Sequence, residues 1–165
     1  MDIKHYLDKF NKSADRLDKK QLNQKELEVS VDLVLDSVCL KLFKRAWTND
    51  TNKPLTAEAR IFFSVWINDK TLKENKVYYN IHALKLRKLN TYAILSRAFA
   101  DNFRNKFKKY QNNWENVSTK FGPLTLMEGW VEFEEENLEN IVFGFAEKFI
   151  EIEQLMDQTL KEFEK

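Results

Sequence analysis

Three short stretches carry aromatic, cationic and hydrogen-bonding side chains at every second position, the spacing that brings them to one face of a β-strand. They are Arg60, Phe62, Ser64 and Trp66; Tyr78, Asn80 and His82; and Glu128, Trp130 and Glu132. A fourth stretch, Phe43, Arg45 and Trp47, alternates in the same way. Gathered on one sheet, these side chains form a surface of large rings with a few polar groups. Small-molecule pockets have that composition, and so do stacking platforms for single-stranded nucleic acid. Trp47, Trp66, Tyr78 and Trp130 would wall or stack on the ligand, while Arg45, Arg60, Arg87 and Arg97 would neutralise its charge. The plain alternative is that the N- and C-terminal helices cover this face, which makes its aromatics core.

His82 is one of only two histidines, His5 being the other. A histidine on a strand is more often a structural hydrogen-bonder than a base; as a base, its carboxylate partner would be Glu128 or Glu132. Two histidines and one cysteine are too few for a Cys/His-rich zinc site. No carboxylate spacing marks a magnesium site. Phosphate-loop, dinucleotide, nucleophile-elbow and metalloprotease motifs are all absent. No cofactor is expected, and a non-catalytic role is favoured over an enzyme.

Charge is unevenly distributed beneath a net charge of +1. Residues 70–120 hold 12 Lys+Arg against 3 Asp+Glu, and residues 121–165 hold 3 against 12. The positive block continues from Lys85, Arg87 and Lys88 to Arg97, Arg104, Lys106, Lys108 and Lys109, a surface that would attract phosphates. A solvated face, or pairing with the acidic C-terminal segment, is the competing explanation. Glu132, Glu134, Glu135, Glu136 and Glu139 precede or open the last helix, where negative charge complements the helix dipole.

The elements that must position these groups follow from hydrophobic period. Ile3, Leu7, Phe10, Ala14 and Leu17 predict an amphipathic helix over residues 2–22. From Leu27 the period becomes two, predicting strands through Leu35 and again from Val38, with a turn at Asp36-Ser37. A helix over residues 31–46 competes with that reading. Further strands are expected at 59–67, from Val77 onward and at 124–133, with a phase slip near Leu84. Helices are expected at 92–110 and 137–164, the last amphipathic over its whole length. Helix, three or four strands, helix, strand, helix describes one α+β domain, residues 1–165. Its expected architecture is an antiparallel meander of about four or five strands packed with three helices.

Cys39, the only cysteine, lies in an apolar run and reads as a small buried hydrophobe. The N-terminus lacks the apolar core of a secretory signal, and no run reaches the ~20 apolar residues of a membrane span. A cytoplasmic location is the expectation, with no membrane partner. The leading expectation for function is a binding protein whose aromatic and basic sheet face holds an anionic or aromatic ligand, nucleic acid or a nucleotide first. A structural protein that forms homo-oligomers through its terminal helices is the alternative. A hydrolase using His82 with a glutamate comes third.

Overall fold

A computed structural model describes all residues, 1–165. Five strands, β1 (Glu28–Val34), β2 (Ser37–Phe43), β3 (Arg60–Ile67), β4 (Lys76–Leu84) and β5 (Thr125–Glu132), form one antiparallel sheet in the order of the chain. Around it lie α1 (Ile3–Asp15), α2 (Lys19–Gln24), α3 (Asp69–Lys73), α4 (Ser96–Phe107) and α5 (Leu138–Lys161). The α+β meander expected from the alternating strands is the fold observed, and the competing helix over 31–46 is replaced by the β1–β2 hairpin and the start of the following turn.

The core lies on one side of the sheet. Val38, Leu40 and Leu42 of β2, Phe63 and Val65 of β3, and Tyr79 and Ile81 of β4 meet Phe10 of α1, Phe99 and Phe103 of α4, and Phe149 and Met156 of α5. Burial of these large apolar side chains is the main favourable contribution to the fold. The terminal helices also pack against each other: the Ser13 hydroxyl donates to the Glu139 carbonyl at 2.8 Å, and Arg16 pairs with Glu139 at 3.0 Å. Apart from Ile3, which is exposed, their apolar stripes are packed within the chain.

Several boundaries differ from the periodicity, each for a local reason. The first helix is broken in two because the Asp18 carboxylate accepts from the Lys20 and Gln21 N–H groups and so caps a new helix. The hairpin loop expected after β3 folds into α3, closed by a capping box between Asn68 and Thr71. Helix α4 starts at Ser96, not 92, because Ala93 N–H donates to the Phe163 carbonyl at 2.7 Å and Tyr92 bridges Glu164. Strand β2 stops at Phe43, and Arg45–Trp47 form a single 3-10 turn that carries Trp47 to the core side.

One glycine is required by close approach. A Cβ on Gly129 would run into the Tyr79 hydroxyl and the Val117 backbone. The Tyr79 ring is wholly buried, and its hydroxyl donates to the Glu115 carbonyl at 2.5 Å, so it has nowhere to move. Gly129→Ala is expected to destabilise the chain by about 2 kcal/mol, lowering Tm by roughly 4–8 °C in a thermal melt.

Candidate functional site

No helix covers the second face of the sheet. All the helix-facing residues belong to the core described above; Cys39, Phe43 and Phe62, though buried, lie outside it. The alternative in which the terminal helices roof this face is therefore set aside. Because side chains alternate along antiparallel strands, the register assigns the open face row by row. One row runs Asp32, Cys39, Trp66, Tyr78, Trp130; the next Ser30, Lys41, Ser64, Asn80, Glu128; a third contains Phe62, His82 and Thr125. A β-bulge between Ile81 and His82 shifts the register at the last of these rows.

The rows enclose a concavity of about 330 Å³ lined by Cys39, Lys41, Arg60, Phe62, Ser64, Trp66, Asn80, His82 and Glu128, with Val34 and Leu35 at the hairpin end. Its polar floor is a chain of hydrogen bonds. The Ser64 hydroxyl donates to Asn80 Oδ1, and Asn80 Nδ2 donates to Glu128 Oε1 at 3.1 Å. Both Ser64 and Asn80 are buried and satisfied by this chain.

The two cations are not satisfied. Lys41 is 8% exposed and makes no ion pair or hydrogen bond; its Nζ lies 4.4 Å from the Phe62 ring centroid. Burial pushes its pKa below the ordinary lysine value, and neighbouring Arg60 adds to the depression, because both disfavour the charged form. Arg60 donates from Nη1 to the Ala57 carbonyl at 2.5 Å, but its Nε is buried without an acceptor. Burial lowers its pKa as well. A buried polar group without a partner is costly; the Arg60 Nε is one, and the unpaired Lys41 ammonium faces the same concavity.

His82 lies beside them, its ring 5.3 Å from that of Phe62. Burial holds its pKa below the ordinary histidine value, and the charges on Lys41 and Arg60 act in the same direction. It is therefore neutral at pH 7. Its Nδ1 is 3.4 Å from the Leu124 carbonyl and from Thr125 Oγ1. As a carbonyl only accepts, Nδ1 carries the proton and Nε2 is the acceptor. Glu128 shares the concavity but makes no hydrogen bond to His82. Glu132 is excluded as its partner, because it lies seven residues along β5 from Thr125, the residue opposite His82. At the ~3.3 Å rise of an extended strand, that separation is roughly 20 Å. No nucleophile is activated here: burial pushes the Cys39 thiol up to about 12, far from the thiolate that reactivity needs, and the Ser64 hydroxyl is committed to Asn80.

The structure disperses the other predicted site residues. Trp47 is 0% exposed, on the core side, where its Nε1 donates to Asp157 Oδ1 at 2.7 Å. Arg45 is occupied by Glu28 through two hydrogen bonds of 2.6 and 3.0 Å and by the Thr51 carbonyl. Arg87 lies on the 3-10 turn Leu86–Lys88 and Arg97 on α4, which packs in the helical layer behind the sheet. Tyr78 and Trp130 are on the open face. Trp66 and Tyr78 stack on each other at 5.0 Å, and Lys76 Nζ sits 4.0 Å from the Trp130 ring centroid.

The basic block is partly spent inside the fold. Arg104 donates to the carbonyls of Phe121, Gly122, Thr125 and Leu126, clamping the loop before β5. Lys106 pairs with Glu162, while Lys85 and Lys88 share Glu58. The positive segment is thus not continuous with the aromatic face. A larger depression of about 570 Å³ lies by Tyr6 and Leu72, but its walls include Glu132, Glu134 and Glu135, and Glu135 already accepts from Tyr6 and pairs with His5. It offers an anion nothing.

Lys41 is the candidate residue that strand alternation failed to single out. The available signal was a lysine inside an otherwise apolar run, Val38-Cys39-Leu40-Lys41-Leu42-Phe43. No group of three or more His, Cys, Asp or Glu side chains is arranged to hold a metal, and no helix is long and apolar enough to cross a membrane. No family model, curated protein or solved structure matches the chain.

Proposed function

We propose that this protein binds a small anionic ligand with an apolar or aromatic body in the concavity of the open sheet face. The observation that carries this reading is Lys41, a nearly buried lysine whose ammonium has no carboxylate partner, beside an Arg60 Nε buried without an acceptor. An anion placed between them would supply both missing partners, and charge-assisted hydrogen bonds in a site of low dielectric are strong. Phe62, Trp66 and His82 would enclose the body of the ligand, and the Ser64–Asn80–Glu128 chain would present fixed acceptors to any donor it carries.

A single-stranded nucleic acid is a poorer occupant than a small molecule. Base stacking needs ring faces turned to solvent, whereas Trp66 and Tyr78 each spend one face on the other and Lys76 takes one face of Trp130. The cations that could follow a phosphate backbone, Arg87 and Arg97, belong to other parts of the surface.

Isothermal titration of phenyl phosphate, hexanoate and inorganic phosphate into the wild-type chain tests the reading. At least one aromatic or aliphatic anion is expected to bind at a stoichiometry of one, with binding weakened about ten-fold or more in Arg60→Met. Absence of binding by all three, or equal binding by Arg60→Met, would overturn it.

A further inference from the structure

The groove has an apolar end that anion capture alone does not use. From Arg60 and Lys41 the concavity continues along β2 and β3 to the tip of the β1–β2 hairpin, where Val34, Leu35, Cys39 and Trp66 line it with Ser37 and Asn68. None of these lining residues is charged, Asp32 and Asp36 of the same hairpin lying outside the lining. Val34 pairs with Ser37, which is four residues along β2 from Lys41. The rise of an extended strand, ~3.3 Å per residue, makes that about 13 Å.

Leu35 is the odd member. It is 92% exposed, and its φ of 56° falls in the left-handed region. That region disfavours residues with a Cβ, and glycine or asparagine would occupy the turn position at less cost. A leucine there buries almost nothing within the chain, so packing does not account for it. Strained residues of this kind gather where a ligand is held.

The charges at the other end set the head group. Among the lining charges Lys41 and Arg60 are opposed by Glu128, and His82 is neutral; Asp32, opposite Cys39 on the same face, also opposes Lys41, so the surplus is at most a single positive charge. A singly charged carboxylate is therefore tolerated better than a phosphate dianion, whose second negative charge would be uncompensated beside Glu128 and Asp32.

Resting on the anion-pocket reading, we infer that the ligand is an amphiphilic carboxylate: its head lies at Lys41 and Arg60, and a straight acyl chain runs along the groove to Val34 and Leu35. Titration of hexanoate, octanoate and decanoate into wild type and Leu35→Ser, with phenyl phosphate as a control lacking the chain, tests this. Each two-carbon extension should tighten binding to wild type about ten-fold. Leu35→Ser, exposed and outside the core, should weaken decanoate about ten-fold and leave hexanoate unchanged. Equal affinity for the three carboxylates would overturn the acyl-chain inference and leave the anion pocket standing. So would phenyl phosphate binding more tightly than decanoate, or a chain-length dependence that both Leu35→Ser and Val34→Ser leave intact. Failure of all four probes would remove the pocket itself.

Discussion

Lys41→Met is expected to yield a chain that is more stable than wild type and holds an anion far more weakly. The side chain is nearly buried and its ammonium has only the Phe62 ring against it, so its removal relieves an unpaired charge and leaves an apolar stem of similar length. A gain of about 1 kcal/mol follows, which raises Tm by roughly 2–4 °C in a chain of this size. Loss of a charge-assisted partner should weaken binding of hexanoate about ten- to a hundred-fold. A residue serving only the fold would not show opposite signs in the two measurements.

The pH dependence of that stability gain has a definite sign. The folded-state pKa of Lys41 lies below its ordinary value of 10.5. Below the folded pKa the ammonium is charged in both states, and its full cost is present. As pH rises from there toward the ordinary value, the folded state sheds the proton first and wild type becomes more stable. The advantage of Lys41→Met should therefore shrink as pH rises from the lowered pKa toward 10.5 and stay constant below that window. Chemical denaturation of both chains across the window measures it.

Lys44→Met should act in the opposite direction. Three residues from Lys41, Lys44 is 7% exposed, but its Nζ lies 2.7 Å from Glu153 and 2.5 Å from Asp157. These partners raise its pKa against the opposing effect of burial. Glu153 is 5% exposed and has only Lys25, at 3.3 Å, as another partner. Removing Lys44 leaves that carboxylate poorly compensated, at a cost of about 3 kcal/mol, or roughly 6–12 °C in Tm. The double variant Lys44→Met/Glu153→Leu should recover much of the loss, because replacing both members of a buried pair by apolar groups is far less damaging than breaking it. A double variant no more stable than the single one would show that the cost lies in packing.

The contrast between the two lysines explains what could be read from the chain. Alternation along Arg60–Trp66 and Tyr78–His82 located the strands and their second face, because period two is a local property. It could not show that Lys41 lacks a carboxylate while Lys44 has two, since the partners of Lys44 are contributed by α5, more than a hundred residues away. The same limit applied to Arg45 and Trp47. Their spacing continued that of β2, yet the strand ended at Phe43, and one became paired with Glu28 and the other buried. Arg104 resembled a free cation on a basic helix until four carbonyls of a distant loop occupied it. Helix breaks came from single caps such as Asp18, which a long apolar stripe overrides in any reading by period.

The location of the ligand is the central claim, and amide and indole chemical shifts followed during an octanoate titration test it most directly. The predicted shifts cluster on residues 39–41, 60–66 and 80–82 and on the Trp66 indole, while the indoles of Trp47 and Trp114, both in the core, stay fixed. Shifts gathered instead around Arg87, Arg97 and Lys108, or an unchanged spectrum at saturating octanoate, would contradict the assignment of the open sheet face as the binding site.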